Sequence, residues 1–201
     1  MLRHIAVLAG ALLAGGASAT TLTGAVNMDD RFAAYLSTDD AQVGTQIGSG
    51  WGWEVTFGFS AQLDPGKAYY LHVFGEDVGG MISGFLGAFS LSDTGYSFVN
   101  GTQSLLTNSS DWKVSATGFG TNYVAPVSQG DNGVWPWGTR QGVPSEADWI
   151  WTGPRGTLKN AYFSTAIVAN VSPVPEPMAA VLLASGLGVL ALRRKKLVKV
   201  A

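Results

Sequence analysis

Tryptophans separated by a single residue occur three times in the sequence, at Trp51/Trp53, Trp135/Trp137 and Trp149/Trp151. A spacing of two puts both rings on one side of a strand, where core packing is their ordinary role. We expect this role for the first and third pairs. The second pair differs, because Pro136 lies inside it and glycines surround it, and a central strand would not contain that proline.

Trp135 and Trp137 are therefore predicted to lie on a surface loop. Large exposed apolar side chains tend to mark binding sites, so sugar rings could stack on the two indoles while polar neighbours bind the hydroxyl groups. The polar candidates are Asp131, Asn132 and Arg140. In the alternative interpretation, the loop folds down and both rings cap the domain.

Three pairs of adjacent acidic residues could also do chemistry: Asp29-Asp30, Asp39-Asp40 and Glu76-Asp77. A glycosidase needs two carboxylates at a set separation in a cleft, but adjacent residues of a strand point to opposite faces. One interpretation of these residues is a set of solvated turns at strand ends. The other is calcium, which binds several carboxylate and carbonyl oxygens. The calcium candidates are Asp29, Asp30, Asp39 and Asp77.

His72 is the only histidine beyond residue 19, so any Ser-His-Asp arrangement would have to use it. On a strand it shares a face with Tyr70 and Phe74, which favours a structural histidine. No nucleophile-elbow, phosphate-loop or histidine-rich metal motif occurs, and the absence of cysteine excludes disulfides and thiol catalysis. The sequence predicts a protein that is not an enzyme and has no cofactor other than calcium. The alternative is a secreted carboxylate-dependent hydrolase such as a glycosidase.

The elements that must position these residues are predicted to be strands. Short segments rich in β-branched and aromatic residues alternate with turn residues, as in Asp64-Pro65-Gly66 and Asn100-Gly101. We expect an all-β fold, a single β-sandwich or jelly roll over residues 20–167, with a long loop at Thr121–Pro144. The predicted strands are Arg31–Ser37, Trp51–Ala61, Ala68–Phe74, Ile82–Leu91, Tyr96–Val99, Trp112–Phe119, Trp149–Trp151 and Tyr162–Val168.

The sandwich is predicted to be flanked by two addressing segments. Residues 1–19 have a basic start, an apolar run and the small-x-small ending Ala17-Ser18-Ala19, which is typical of a signal peptide cleaved after Ala19. Residues 168–177 are proline-rich and predict an extended tether. Residues 178–201 predict a short hydrophobic helix with a basic tail, which favours a cytoplasmic C-terminus.

Three features follow one another at this end: Val174-Pro175-Glu176-Pro177, the apolar run Met178–Leu192, and Arg193-Arg194-Lys195. As a helix the apolar run would rise about 22 Å, against about 30 Å for a bilayer core, so it is short for a permanent span. A permanent anchor is nevertheless the plain physical alternative to a processed signal.

The order of these features resembles the PEP-CTERM sorting signal of Gram-negative bacteria, over residues 174–195 only. The resemblance implies an exosortase as partner, cleavage near Pro175-Glu176-Pro177, and release from the inner membrane to the cell surface or extracellular matrix. Two stretches of the body, Asp29–Leu36 and Ala147–Trp151, resemble galactose-binding-like β-sandwiches, which implies a jelly roll.

Charge distribution narrows the choice of partner. Residues 20–173 contain six basic and thirteen acidic residues, so this body carries a net charge of −7, against −2 for the whole chain. An acidic body lacks the basic surface that nucleic acids require. We therefore expect an exported surface or matrix protein that works by adhesion or polysaccharide association.

The sorting signal makes a first prediction about the mature protein. Its intact mass, measured after release from the cell surface, should lack Met178–Ala201, because the exosortase would cleave before the apolar run. Cells without the exosortase serve as the control and should retain the uncleaved chain. Recovery of the complete C-terminus from cells with a working exosortase would instead support the permanent anchor.

Overall fold

The computed structural model describes residues 19–154 and 158–170. The predictions for the signal peptide, the sorting motif and the C-terminal helix lie outside these residues, with the exception of Ala19, which is exposed and directly precedes the first strand. Within the described part of the chain, no helix is long and apolar enough to cross a membrane.

About half of the described residues lie in strands, and none lies in an α-helix. The strands are β1 (Thr20–Asp29), β2 (Arg31–Ser37), β3 (Thr45–Trp51), β4 (Phe57–Leu63), β5 (Tyr69–Glu76), β6 (Gly84–Leu91), β7 (Tyr96–Phe98), β8 (Ser104–Leu106), β9 (Lys113–Ser115), β10 (Val127–Asp131), β11 (Asp148–Trp151) and β12 (Asn160–Ala169).

The strands form two antiparallel sheets, which confirms the predicted all-β class. Sheet A has the order β10-β11-β6-β1-β4, and β8 pairs with β6 beside β11. Sheet B has the order β3-β2-β5-β12-β7, and β9 pairs with β12 beside β7. Both central pairings are long: β1 with β6 through eight residue pairs and β5 with β12 through eight.

Alternation along the central strands places apolar side chains between the two sheets. Leu71 and Val73 of β5 are fully buried, as are Leu22 and Val26 of β1. Aromatic rings fill the middle of this core in edge-on and tilted contacts, which aromatic pairs prefer over face-to-face stacking. The rings concerned are Phe85, Phe89, Trp112, Trp151 and Phe163.

A second, smaller apolar cluster lies on the outer face of sheet A. Residues 132–147 cross this face and bury Trp137 and Val143 against Trp149 of β11 and Leu86 of β6. Trp149 and Trp151 therefore belong to different clusters, and the expectation that both rings share one side of a strand is wrong.

Several strand boundaries differ from those predicted. The predicted strand Trp51–Ala61 is divided, because β3 ends at Trp51 and a turn beginning at Gly52, with φ of 98°, leads into β4 of the other sheet. Four strands were not predicted, namely β1, β3 apart from Trp51, β8 and β10, and β10 lies within the predicted loop Thr121–Pro144. β12 continues to Ala169, past the predicted start of the tether.

Glycines in β3 make room for the phenylalanines of β4. A Cβ atom on Gly48 would lie 2.8 Å from the Phe59 ring, and one on Gly50 would lie 2.5 Å from the Phe57 ring. Real Cβ atoms essentially never approach so closely. The glycines thus allow β3 of sheet B and β4 of sheet A to close one side of the sandwich.

Gly50→Ala should lower the free energy of unfolding by about 1–3 kcal/mol, because Phe57 and Phe32 must move to admit the methyl group. Urea denaturation measures the change. Gly58→Ala in β4 is the matched control, since its Cβ would have no neighbour closer than 3.9 Å. That variant should match the wild type or exceed it slightly. Equal destabilisation of the two variants would show that the close approach of the strands is unimportant.

Candidate functional site

One cleft brings together two groups of residues that the sequence singled out separately. It has a volume of about 320 Å³ and opens beside the junction of β1 and β2, the turn after β5, and the middle of residues 132–147. We call it the acidic–aromatic cleft. It is lined by Asp29, Asp30, Trp53, Asp77, Gly79, Met81, Ile82, Trp135, Pro136 and Trp137.

Two of the carboxylates shape the turn after β5. Asp30 Oδ2 accepts hydrogen bonds from the backbone N–H groups of Val78, at 2.7 Å, and Gly79, at 2.9 Å. Asp77 is almost fully buried; its Oδ1 accepts from Gly80 N–H at 2.5 Å and its Oδ2 from the Ser83 hydroxyl at 2.7 Å. These acids hold the turn that forms one wall of the cleft.

Asp29 is the most perturbed acid of the cleft. Burial raises its pKa from 3.8 to about 7, and a hydrogen bond with Asp30 and repulsion from Asp30 and Asp77 act in the same direction. The indole N–H of Trp137, which donates to Asp29 Oδ2 at 2.8 Å, opposes this shift by stabilising the carboxylate. Proton occupancy of Asp29 thus changes near neutral pH.

The second tryptophan pair is divided between the two roles predicted for it. Trp137 is 2% exposed and stacks on Trp149, with ring centroids 4.4 Å apart and planes inclined by 17°. The expectation that Trp137 offers a free ring to a ligand is therefore wrong. Trp135 is 72% exposed and forms the rim of the cleft. The cis peptide bond between Trp135 and Pro136 lies between the buried and the exposed ring.

The polar residues predicted beside these rings have other partners. Asn132 is buried, and its amide bonds the backbone of Arg140 and Val143, so the prediction that it binds ligand hydroxyls is wrong. The Arg140 guanidinium lies 5.1 Å from the centroid of the Trp53 ring. Asp131 is exposed but does not line the cleft; it pairs with Asp148 across β10 and β11.

The first tryptophan pair also departs from its predicted role. Trp51 is 58% exposed at the end of β3, with the Arg31 guanidinium 5.7 Å from its ring centroid, so its assignment to the core is wrong. Trp53 is partly buried and lines the cleft. Sequence reasoning missed Trp53 and Met81 as site residues. Met81, 81% exposed beside Gly79 and Gly80, gave no signal in the sequence.

The calcium candidates are only partly brought together. Asp29, Asp30 and Asp77 line the cleft, whereas Asp39 lies after the far end of β2 and accepts a hydrogen bond from Ala41 N–H. Across residues 19–154 and 158–170, no group of three or more metal-ligating side chains is placed to hold an ion. The oxygens of Asp30 and Asp77 are instead directed at hydrogen-bond donors of the turn.

His72 belongs to a separate buried network on the outer face of sheet B. Its Nε2 lies 3.3 Å from Asp40 Oδ1, and Ser164 donates to the same oxygen at 2.7 Å. Phe119 stacks on the imidazole at 4.2 Å. Burial lowers the pKa of His72, which outweighs the attraction of Asp40. The Ser164 hydroxyl donates to Asp40 and not to the imidazole, and Ser164 and His72 are both fully buried. These residues therefore cannot act as a Ser-His-Asp triad.

A larger cleft of about 570 Å³ lies at the other end of β2, between the β2–β3 and β4–β5 turns. Its charged side chains include Asp64 and Lys67, an exposed ion pair at 2.7 Å. Among the described residues that line it, Tyr69 is the only aromatic one, and it is 7% exposed. This cleft lacks the exposed ring and the buried acids that distinguish the acidic–aromatic cleft.

Comparison with known proteins adds no assignment, because no protein family, curated protein sequence or solved structure matches the chain. The cleft and the sequence motifs are therefore the features of this protein that indicate a function.

Asp29 should contribute a loss of stability as the pH rises from about 4 to about 7, whereas His72, whose pKa is lowered by burial, contributes in the opposite direction. Over this range folded Asp29 keeps a proton that the unfolded chain, with its pKa of 3.8, has released, so rising pH favours unfolding. Because the side chain is partly exposed and screened, we expect a loss of about 1–2 kcal/mol.

Urea unfolding at pH 5 and pH 8 checks this expectation. Asp29→Asn should remove most of the loss, while its amide oxygen still accepts from Trp137. Asp39→Asn, at the opposite end of β2, should keep the pH dependence of the wild type. An unchanged pH dependence in Asp29→Asn would show that the titrating group lies elsewhere.

Proposed function

We propose that this protein is exported to the cell surface or extracellular matrix and binds polysaccharide through the acidic–aromatic cleft without hydrolysing it. The observation that carries the proposal is Trp135, whose ring is 72% exposed on the rim of a concave site. Trp135 shares this cleft with the exposed Met81 and the partly buried Trp53, and contiguous exposed apolar surface of this kind tends to mark a binding site.

The cleft has the mixture of surfaces that a sugar needs. The flat Trp135 and Trp53 rings suit the CH faces of a pyranose, and Met81 and Ile82 extend the apolar wall. Carboxylate oxygens of Asp29 and Asp30 lie in the same cleft and can accept hydrogen bonds from sugar hydroxyls. A few polar groups within an apolar cleft are typical of small-ligand sites.

Export and sorting are supported by the sequence at both ends. Cleavage after Ala19 would leave Thr20 as the first residue, and β1 begins at Thr20, so the whole sandwich would remain. The Val174–Pro177 motif, the apolar run and the basic cluster resemble a PEP-CTERM signal, and an exosortase would be the processing partner. The many connections between the two sheets support a jelly-roll arrangement of the galactose-binding-like kind.

A carboxylate-dependent hydrolase is the alternative function, and the pKa of about 7 for Asp29 favours it, because a general acid needs a proton near neutral pH. Two features oppose it. A glycosidase holds its carboxyl groups about 5 Å or more apart, whereas Asp29 and Asp30 share a hydrogen bond. The second acid would also have to be Asp30 or Asp77, whose oxygens hold the turn.

Trp135→Ala should weaken binding to polysaccharide extracted from the host's own matrix by about tenfold, because truncating a stacked aromatic anchor typically costs more than 1 kcal/mol. Its melting temperature should change little, since the ring is exposed. Affinity electrophoresis measures the binding. Trp51→Ala removes an equally large exposed ring from outside the cleft and should bind like the wild type.

A reducing-sugar assay on the same polysaccharide separates the two functions. The wild-type protein should release no reducing ends. Release of sugar that Asp29→Asn abolishes would establish the hydrolase instead. If Trp135→Ala binds the polysaccharide as tightly as the wild type, the Trp135 ring does not contact the ligand and the binding proposal is wrong.

A further inference from the structure

The charge of the acidic–aromatic cleft limits which polysaccharides it can accept. Three of its lining residues are acidic, and among the described lining residues none is basic. The basic residues nearby have other partners. Arg31 and Lys159 both pair with Glu76, and Arg140 lies over the Trp53 ring. None of these three side chains is among the described lining residues, so the charged groups that face the cleft directly are its acids.

The state of Asp29 supports this picture. Its pKa is raised first by burial and then by interactions with Asp30 and Asp77. A site that resists ionisation of its own carboxyl group also resists the entry of a carboxylate from outside. The body around the cleft adds to this repulsion, because its net charge is −7.

We propose that the cleft selects polysaccharides whose sugars are neutral or carry free amines, and rejects uronic-acid polysaccharides. This inference rests on the proposed function, and the exposed Trp135 ring, not the acids alone, defines the site. An ammonium group beside Asp30 gains Coulomb energy and charged hydrogen bonds. A hydroxyl group gains ordinary hydrogen bonds to the same oxygens. The carboxylate of a uronate cannot donate a hydrogen bond to these oxygens and is repelled by them.

Three β-1,4-linked hexamers separate charge from shape. They are the neutral glucose hexamer, the glucosamine hexamer with an amine at C2, and the glucuronic acid hexamer with a carboxylate at C6. Isothermal titration with the full chain at about pH 6 and about 0.1 M salt should give the order glucosamine, glucose, glucuronic acid. We expect roughly five- to tenfold between successive members.

Asp30→Asn tests whether the cleft sets this order. Its amide oxygen still accepts from Val78 and Gly79 N–H, so the turn is preserved while one charge is lost. In this variant the affinity ratio of the glucosamine to the glucose hexamer, and that of the glucose to the glucuronic acid hexamer, should each be severalfold smaller than in the wild type. Asp39→Asn is the matched control: it also keeps an acceptor for a backbone N–H and loses one charge. It lies beyond β2, about 20 Å away, where salt screens its effect.

The outcomes distinguish the two proposals. Equal binding of the glucuronic acid and glucosamine hexamers, with Trp135→Ala weakening both, would overturn the charge selection and leave polysaccharide binding intact. Charge selection by the cleft would also be overturned if Asp39→Asn reduced the affinity ratios between the hexamers as much as Asp30→Asn does. Failure of Trp135→Ala to weaken any of the three hexamers would overturn both proposals.

Discussion

The placement of Trp137 is the constraint on which the candidate site depends. Its ring stacks on Trp149 of sheet A, and its indole N–H donates to Asp29 at the end of β1. Gly84 in β6 makes this possible, because a Cβ atom there would lie 2.7 Å from Trp149 and 2.9 Å from Trp137. The buried ring fixes residues 132–147 to the sheet, and Trp135, two residues earlier, remains exposed on the rim of the cleft.

The acids of the cleft have a structural role and a functional consequence. Asp30 and Asp77 bind backbone N–H groups of the turn after β5, and the turn forms because those donors find acceptors. The same arrangement concentrates negative charge next to Asp29, whose pKa rises as a result of burial and that charge. The site thus combines apolar side chains at its rim, such as Trp135, with the carboxyl groups of Asp29, Asp30 and Asp77.

The outer face of sheet B is closed by a different kind of contact. Asp40 accepts hydrogen bonds from Ser164 and Tyr123 and an ion pair from Lys113, while Phe119 covers His72. Both oxygens of this acid have partners within the protein. The two outer faces therefore differ: on sheet B, protein side chains contact Asp40 and cover His72, whereas the cleft on sheet A leaves the Trp135 ring exposed.

Local sequence predicted the fold class and most central strands, because alternation and turn residues act over a few positions. β2, β5, β6, β7, β11 and β12 all overlap predicted strands. β1, β3, β8 and β10 were not predicted. In β3 and β10, glycine and polar residues leave no apolar alternation. β3 forms because β2 supplies its hydrogen bonds and because its glycines admit the rings of β4. Strands such as β3 therefore form because of contacts with residues that are distant in the sequence.

The sequence alone also determined the export and sorting hypothesis, the acidic body and the residue types of the site. It could not decide which tryptophan was exposed. Trp135 and Trp137 have the same local context, and only contact with Trp149 and Asp29 buries one of them. Likewise, Asp29 and Asp77 lie far apart in sequence and meet only because β1 and β5 end on the same side. Burial and charge repulsion are properties of assembled neighbours, so tertiary structure alone fixed them.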